Sequence, residues 1–282
     1  MEPTSTATVQ LPAFDMEGHR GARGLFPENT IPAMLKALEL GVTTLEMDTH
    51  ISKDGKVFLS HDPYFNREHE LLPAGKEIPA TQAKQHILYQ LDYSDIKKYD
   101  VGSKFYKKFP EQQLQKAHKP LLAEIFDTVQ ANIKARQLAQ VFYNIETKSK
   151  PSGDGIYHPA PEEFVDKLMA VILGKGVERY VIIQSFDVRT LKVVKQKYPE
   201  IKTSLLVENR YGLKKNLDLL GFTPDIYSPY YKLVTPGLVK KAHNLNMKVI
   251  PWTINTLQEI KDLKAIGVDG VITDYPNLFK EL

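Results

Sequence analysis

The strongest constraint on this chain is an alternation: short apolar strand-like segments and helix-like segments follow one another along nearly all of its 282 residues. Strands are expected at residues 14–18, 44–49, 140–146, 180–185, 202–207, 225–229, 248–253 and 270–273. Helices are expected from Asn29 or Thr30 to Leu40 and at 120–135, 160–173, 188–198, 214–219, 236–246 and 256–266. A further short strand, 57–60, follows an Asp54-Gly55 turn. Strands separated by helices pair in parallel, and eight such units suggest a (β/α)8 TIM barrel, whose chemistry sits at the C-terminal ends of its strands. An open doubly wound sheet is the alternative, but no G-x-G-x-x-G fingerprint opens the first strand-to-helix turn.

A polar segment, 1–13, precedes a single barrel domain, 14–282. After the second strand, residues 63–119 break the rhythm and read as an insertion of short helices and loops on the barrel's loop face. Within it YDVGSKFYKKFP interleaves basic and aromatic residues, the pattern of a site for an anionic partner or of a solvated loop with snorkelling lysines.

Charge and composition exclude several functions. With 37 basic and 34 acidic side chains the net charge is only +3, which argues against a nucleic-acid partner. There is no cysteine, so thiolate metal sites and cysteine nucleophiles are ruled out. No apolar run reaches the roughly 18 residues of a transmembrane segment. The N-terminus lacks a basic, then apolar, leader, as in a cytoplasmic protein or in a periplasmic or secreted one whose signal has been replaced by an initiator Met. The sequence leaves compartment and oligomeric state unspecified.

The chemistry-bearing residues gather at strand ends. In 44–49 apolar Leu45 and Met47 alternate with Glu46 and Asp48, so both carboxylates share one face. Two acids there repel each other unless something positive lies between them, and a divalent cation answers that need. Glu146 ends the strand VFYNIE as a third carboxylate, with the parity of Asn144 and Lys148. An all-oxygen set favours Mg2+ or Ca2+ over zinc. His19, followed by Arg20, and His61, followed by Asp62, have no H-x-H companions. Such a pair on either side of a phosphodiester would serve attack and leaving-group protonation.

The ordered motifs HRGARGLFPENT, LEMDTHISKDGKVFLSHD, NIETK, QSFD, PWTIN and GVDGVITDYP resemble the glycerophosphodiester phosphodiesterase family across nearly the whole chain. The resemblance implies the (β/α)8 barrel, a divalent ion on Glu46, Asp48 and Glu146, and acid/base catalysis by His19 and His61. It further implies phosphate contacts by Arg20 and Lys148, a site-shaping role for Glu28 and Asn29, and packing of Trp252 on the glycerol side. The implied substrates are small glycerophosphodiesters, such as glycerophosphocholine or glycerophosphoethanolamine, cleaved to glycerol 3-phosphate and an alcohol. Attack by water and attack by the neighbouring glycerol hydroxyl both fit. The segment after His61, DPYFNREHELLPAGKEI, departs from the family pattern and leaves the alcohol open.

Three other readings share these residues. A lysophospholipase D acting on lipids would need an apolar ramp, suggested by 227–231 with Phe105 and Phe109. A metal-dependent amidohydrolase would need further histidines at strand ends, whereas His118, His158 and His243 fall in expected loops or helices. An inactive binding barrel is opposed by the intact set His19, Arg20, Glu46, Asp48, His61, Glu146 and Lys148.

Overall fold

The structure is a computed structural model that describes residues 9–282; the first eight residues of the expected polar segment lie outside it. The strands are β1 (Asp15–Gly18), β2 (Thr44–Ile51), β3 (Val57–Leu59), β4 (Leu71–Leu72), β5 (Lys76–Glu77), β6 (Phe142–Thr147), β7 (Val181–Ser185), β8 (Lys202–Val207), β9 (Ile226–Pro229), β10 (Lys248–Val249) and β11 (Gly270–Thr273). The helices are α1 (Ile31–Glu39), α2 (Tyr93–Ile96), α3 (Leu122–Arg136), α4 (Pro161–Lys175), α5 (Val188–Lys197), α6 (Leu213–Leu220), α7 (Pro236–His243) and α8 (Leu257–Ala265).

Eight strands run parallel in the order β10-β9-β8-β7-β6-β2-β1-β11, the ring of a (β/α)8 barrel. Its last seam, between β10 and β11, is joined by single hydrogen bonds. Asp269 N–H donates to Val249 O at 2.9 Å and Ile272 N–H to Pro251 O at 3.0 Å. The strand expected at 248–253 therefore stops at Val249. Pro251 has no N–H for the ladder, so the segment contributes only isolated contacts.

Thr30, Asp187, Thr235 and Thr256 each accept a backbone N–H from the first turn of the following helix, which sets where α1, α5, α7 and α8 begin. Along β2 the alternation sends Leu45 and Met47 outward into the apolar layer shared with α1 and α3. Glu46 and Asp48 consequently face the barrel axis. Phe142, Ile182, Ile226, Ile250 and Ile272 form an apolar cluster of their own, and Val9 and Leu11 pack against it. Among the described residues no helix is long and apolar enough to cross a membrane.

The segment between β3 and α3 is more ordered than its weak periodicity implied. Besides the short helix α2 it carries the hairpin β4–β5, and Phe58, Phe65, Ile78, Leu88, Tyr93, Ile96, Tyr99 and Val101 form a satellite core. Its aromatic residues are spaced without a single period because they come from a strand (Phe58), a short helix (Tyr93) and the turns between, which hides the core from a periodicity reading. Glu70 and Lys119, both buried, form an ion pair inside it, and the Glu70 carboxylate also accepts the Asn66 N–H at 2.6 Å. Replacing Lys119 by Met strands a buried carboxylate and is expected to destabilise the protein by about 3–5 kcal/mol, with most of that recovered in Lys119→Met/Glu70→Gln. Chemical denaturation of both variants checks this, and an unaltered Lys119→Met midpoint would contradict it.

Candidate active site

The site is built where β1, β2 and β6 end. Arg20 and Asn29 both adopt left-handed backbone, at φ 51° and 54°, a conformation unfavourable for a side chain as large as arginine. It turns the Arg20 N–H toward Glu46, which accepts it at 2.8 Å. Gly21 follows at φ 83°, and a Cβ there would lie 2.6 Å from the Ala33 backbone, so only glycine lets the loop close onto α1. Asn29 in turn brackets Asp48, donating to its carboxylate at 2.8 Å and accepting its N–H at 3.2 Å.

The register of β2 on β6 places Asp48 opposite Glu146 and Glu46 opposite Asn144. Glu46, Asp48 and Glu146 each offer a carboxylate oxygen within 4.8 Å of the others, and all three residues are buried. Burial, reinforced by Asp48, raises Glu46 well above the usual carboxyl range. Burial likewise lifts Glu146 to about 7, with Lys148 opposing and Asp48 adding. Burial works on Asp48 too, but Arg20 and then Lys148 outweigh it and hold its carboxyl low. One oxygen of Asp48, Oδ1, is buried without a hydrogen bond. Three crowded carboxylates, two of them pushed toward their neutral forms, and an Asp48 oxygen that has no hydrogen bond and only the Lys148 ammonium at 3.6 Å form a set that a hard cation would satisfy.

Two cations flank the triad. Arg20 pairs with Glu28 at 2.8 Å and Asp48 at 3.1 Å; Lys148 reaches Glu146 at 2.9 Å and Asp48 at 3.6 Å. Glu28 also pairs with Arg23 at 2.6 Å, so its place is to hold the two arginines.

Each histidine has one ring nitrogen tied to an acid. His19 Nδ1 lies 2.6 Å from Asp274, and His61 Nδ1 lies 3.0 Å from Asp62. This leaves Nε2 of both rings for other partners. Burial lowers His19 despite Asp274, and burial with Arg20 and Lys148 lowers His61 to about 4, so both imidazoles rest neutral at pH 7. Asp274 is itself held by Asn255, which donates to it at 2.7 Å.

One cavity of about 240 Å3 is lined by His19, Arg20, Glu46, His61, Glu146, Lys148 and Trp252, joining seven residues singled out in the sequence. Asp48 and Glu28 do not line it but pair with Arg20, which does, and Asn29 bonds to Asp48. Phe186, Leu206 and Ile272 add apolar lining, and Trp252 meets Phe186 edge to face at 5.5 Å. Of the residues suggested as an apolar ramp, Phe109 and Tyr227 are buried, Phe105 is exposed, and Tyr230 packs against Trp252 at 5.7 Å.

Several supporting residues carry no signal in isolation. Gln184 donates to Glu46 at 2.7 Å; Asn144 donates to Gln184 at 3.2 Å and to buried Glu17 at 2.8 Å, a chain that orients Glu46 from below. An amide inside a strand looks like any other polar residue until the register is known. Asp274 could have been flagged, because an acid just past the last barrel strand lies on the reactive face.

The model of the glycerophosphoryl diester phosphodiesterase family matches residues 19–278. A glycerophosphodiester phosphodiesterase from Caldanaerobacter subterraneus subsp. tengcongensis is 31% identical over 92% of this chain and 93% of its own length. A crystal structure from Silicibacter pomeroyi DSS-3, provisionally named a glycerophosphoryl diester phosphodiesterase, superposes with a TM-score of 0.84 at 27% identity over 95% of this chain and 92% of that one. An Oleispira antarctica phosphodiesterase solved with the product sn-glycerol-3-phosphate shares the fold, with a TM-score of 0.74 at 21% identity over 94% of each chain. The match of motif, length and barrel leads to one assignment: this chain belongs to the glycerophosphoryl diester phosphodiesterase family.

Proposed function

We propose that the protein hydrolyses small glycerophosphodiesters to glycerol 3-phosphate and an alcohol, using a divalent cation and two histidines. The observation that carries this reading is the joining, in one cavity, of two carboxylate-held imidazoles with Glu46 and Glu146, two members of a buried carboxylate triad whose third is Asp48. Family membership supports the same reaction class.

Glu46, Asp48 and Glu146 would hold the cation, Mg2+ or Ca2+. When bound, it supplies positive charge to a nonbridging phosphoryl oxygen, where negative charge grows in the transition state. Arg20 and Lys148 add fixed positive charge beside it, already aimed by Glu28, Asp48 and Glu146. With Nδ1 tied to an acid, each histidine presents Nε2 to the substrate. One imidazole, neutral in the resting site, takes the proton of the attacking hydroxyl. The other, protonated beside the anionic diester, returns a proton to the leaving alcohol oxygen. Both nucleophiles suit this arrangement: water gives glycerol 3-phosphate directly, whereas attack by the glycerol hydroxyl expels the alcohol and leaves a cyclic phosphate that water then opens with the same two histidines. Trp252 and Phe186 offer an apolar wall for the glycerol carbons.

Stripped of metal by chelation, the purified protein is expected to release no glycerol 3-phosphate from a glycerophosphodiester, and to regain activity with added Mg2+ or Ca2+. Metal-independent release would refute the cation's part, and no release with either ion would refute the reaction. His19→Ala and His61→Ala are each expected to lower kcat roughly a hundredfold or more while retaining the cation, as measured by turnover and metal titration. Full turnover in either variant would remove that histidine from the chemistry. Asp274→Asn should lower kcat through loss of control over the His19 tautomer while KM stays nearly constant. A change confined to KM would mean that Asp274 acts in binding instead.

A further inference from the structure

Among the charged residues that line the cavity, Lys108 has no part in the reaction above. Lys108 comes from the insertion, on the turn between Tyr106 and Phe109, yet it lines the mouth of the catalytic cavity. The turn is strapped down. Phe109 is buried, its ring 4.6 Å from the Arg23 guanidinium and 6.3 Å from the Tyr275 ring. Three residues on, Gln112 donates to the carbonyls of Arg23 at 2.7 Å and Phe26 at 3.1 Å, and Gln113 N–H donates to Leu25 O at 2.7 Å. The insertion is thus stitched to the loop between β1 and α1, with Lys108 held at its edge.

Lys108 also lacks a counter-charge. Lys97, Lys98, Lys104 and Lys119 of the same insertion pair with Glu124, Asp95, Glu77 and Glu70. Among the described residues Lys108 has no ion pair, and its ammonium stands 5.7 Å over the Phe109 ring. The only carboxylates lining the cavity are Glu46 and Glu146, and both belong to the triad. Asp62, beside the lining residue His61, is engaged by that imidazole at 3.0 Å and by Asn66 at 2.7 Å. The apolar wall of Phe186 and Leu206 rises from β7 and β8, across the ring from β1, where the Lys108 turn is fastened. Ile272, from β11 beside β1, lines the cavity as well, so the two ester arms of a bound diester differ in that the one toward the Lys108 turn meets an added positive charge.

We infer that Lys108 makes the protein select glycerophosphodiesters whose alcohol carries a second phosphate. The inference rests on the diesterase reading above and deepens it. A lysine ammonium is a mobile point charge suited to a phosphate that differs in position from one alcohol to another. It also gives a use to the basic and aromatic run KFYKKFP: buried Tyr106 and Phe109 fasten the turn, Lys104 pairs with Glu77, and Lys108 is the lysine of the run that lines the cavity.

Two matched pairs test this, with kcat/KM measured for each member: glycerophosphoinositol against its 4-phosphate, and glycerophosphoglycerol against bis(glycerophospho)glycerol. The first pair adds a phosphate monoester and the second a diester. The wild type is expected to prefer the phosphate-bearing member about tenfold, the order that one charge pair near 4 Å produces at a solvated surface. Lys108→Gln is expected to bring the ratio toward one, and Lys108→Glu to bring it below one. Because both members are read on the same enzyme, a general loss of folded or active protein leaves the ratio unmoved. A preference in one pair alone upholds the inference and identifies the phosphate form. A wild-type ratio near one, or a ratio that Lys108→Gln leaves intact, overturns it while the diesterase reading stands. Hydrolysis of none of the four in the presence of Mg2+ or Ca2+ overturns both.

Discussion

Three carboxylates, Glu46, Asp48 and Glu146, are buried together at one end of a barrel, and most of the site exists to make that tolerable. Taken out of water without partners, such groups would protonate or disrupt the fold. The chain surrounds them with Arg20, Lys148, the Asn29 and Gln184 amides and the Arg20 N–H. Even so, burial first, with the neighbouring Asp48 adding to it, keeps Glu46 and Glu146 pushed up. A divalent cation would complete that balance, and the charge that completes it would also stabilise a reacting phosphoryl group. Placement of acids and readiness for phosphate chemistry are, on this view, two results of one electrostatic arrangement.

The barrel provides the necessary precision. Parallel register sets Asp48 beside Glu146 through backbone hydrogen bonds, without help from either side chain. The left-handed turn at Arg20 and the asparagine at 29 are more costly local conformations, tolerated because Gly21 allows close packing on α1 and because Asp48 and Glu46 bond to the result. The histidines follow the same logic, each held through Nδ1 by a carboxylate that lies just beyond a strand or beside it in sequence. Loops supply the reactive groups, and strands supply their spacing.

Much of this was legible in the sequence because it depends on local pattern. Period-two alternation in 44–49 predicts that Glu46 and Asp48 share a face, and the repeated strand–helix rhythm predicts a closed parallel ring. Thr30 and Thr256 are readable as helix caps for the same reason. What stayed hidden depends on register or on long-range contact. Gln184, Asn144 and Glu17 join Glu46 only once β1, β2, β6 and β7 are aligned. The satellite core, drawn from β3, α2 and the turns between, and the placement of Lys108 at the cavity rest on long-range contacts that leave no single periodic trace. The early end of β10 was visible in principle, since Pro251 cannot donate to a ladder.

The measurement that bears most directly on the buried triad is a calorimetric titration of the chelated protein with Mg2+ and with Ca2+, read together with its thermal unfolding. One ion should bind per chain and raise the unfolding temperature, and Glu46→Gln should weaken binding without loss of the folded barrel. A chelated protein that takes up neither ion, or a Glu46→Gln variant that binds as tightly as the wild type, would contradict the account.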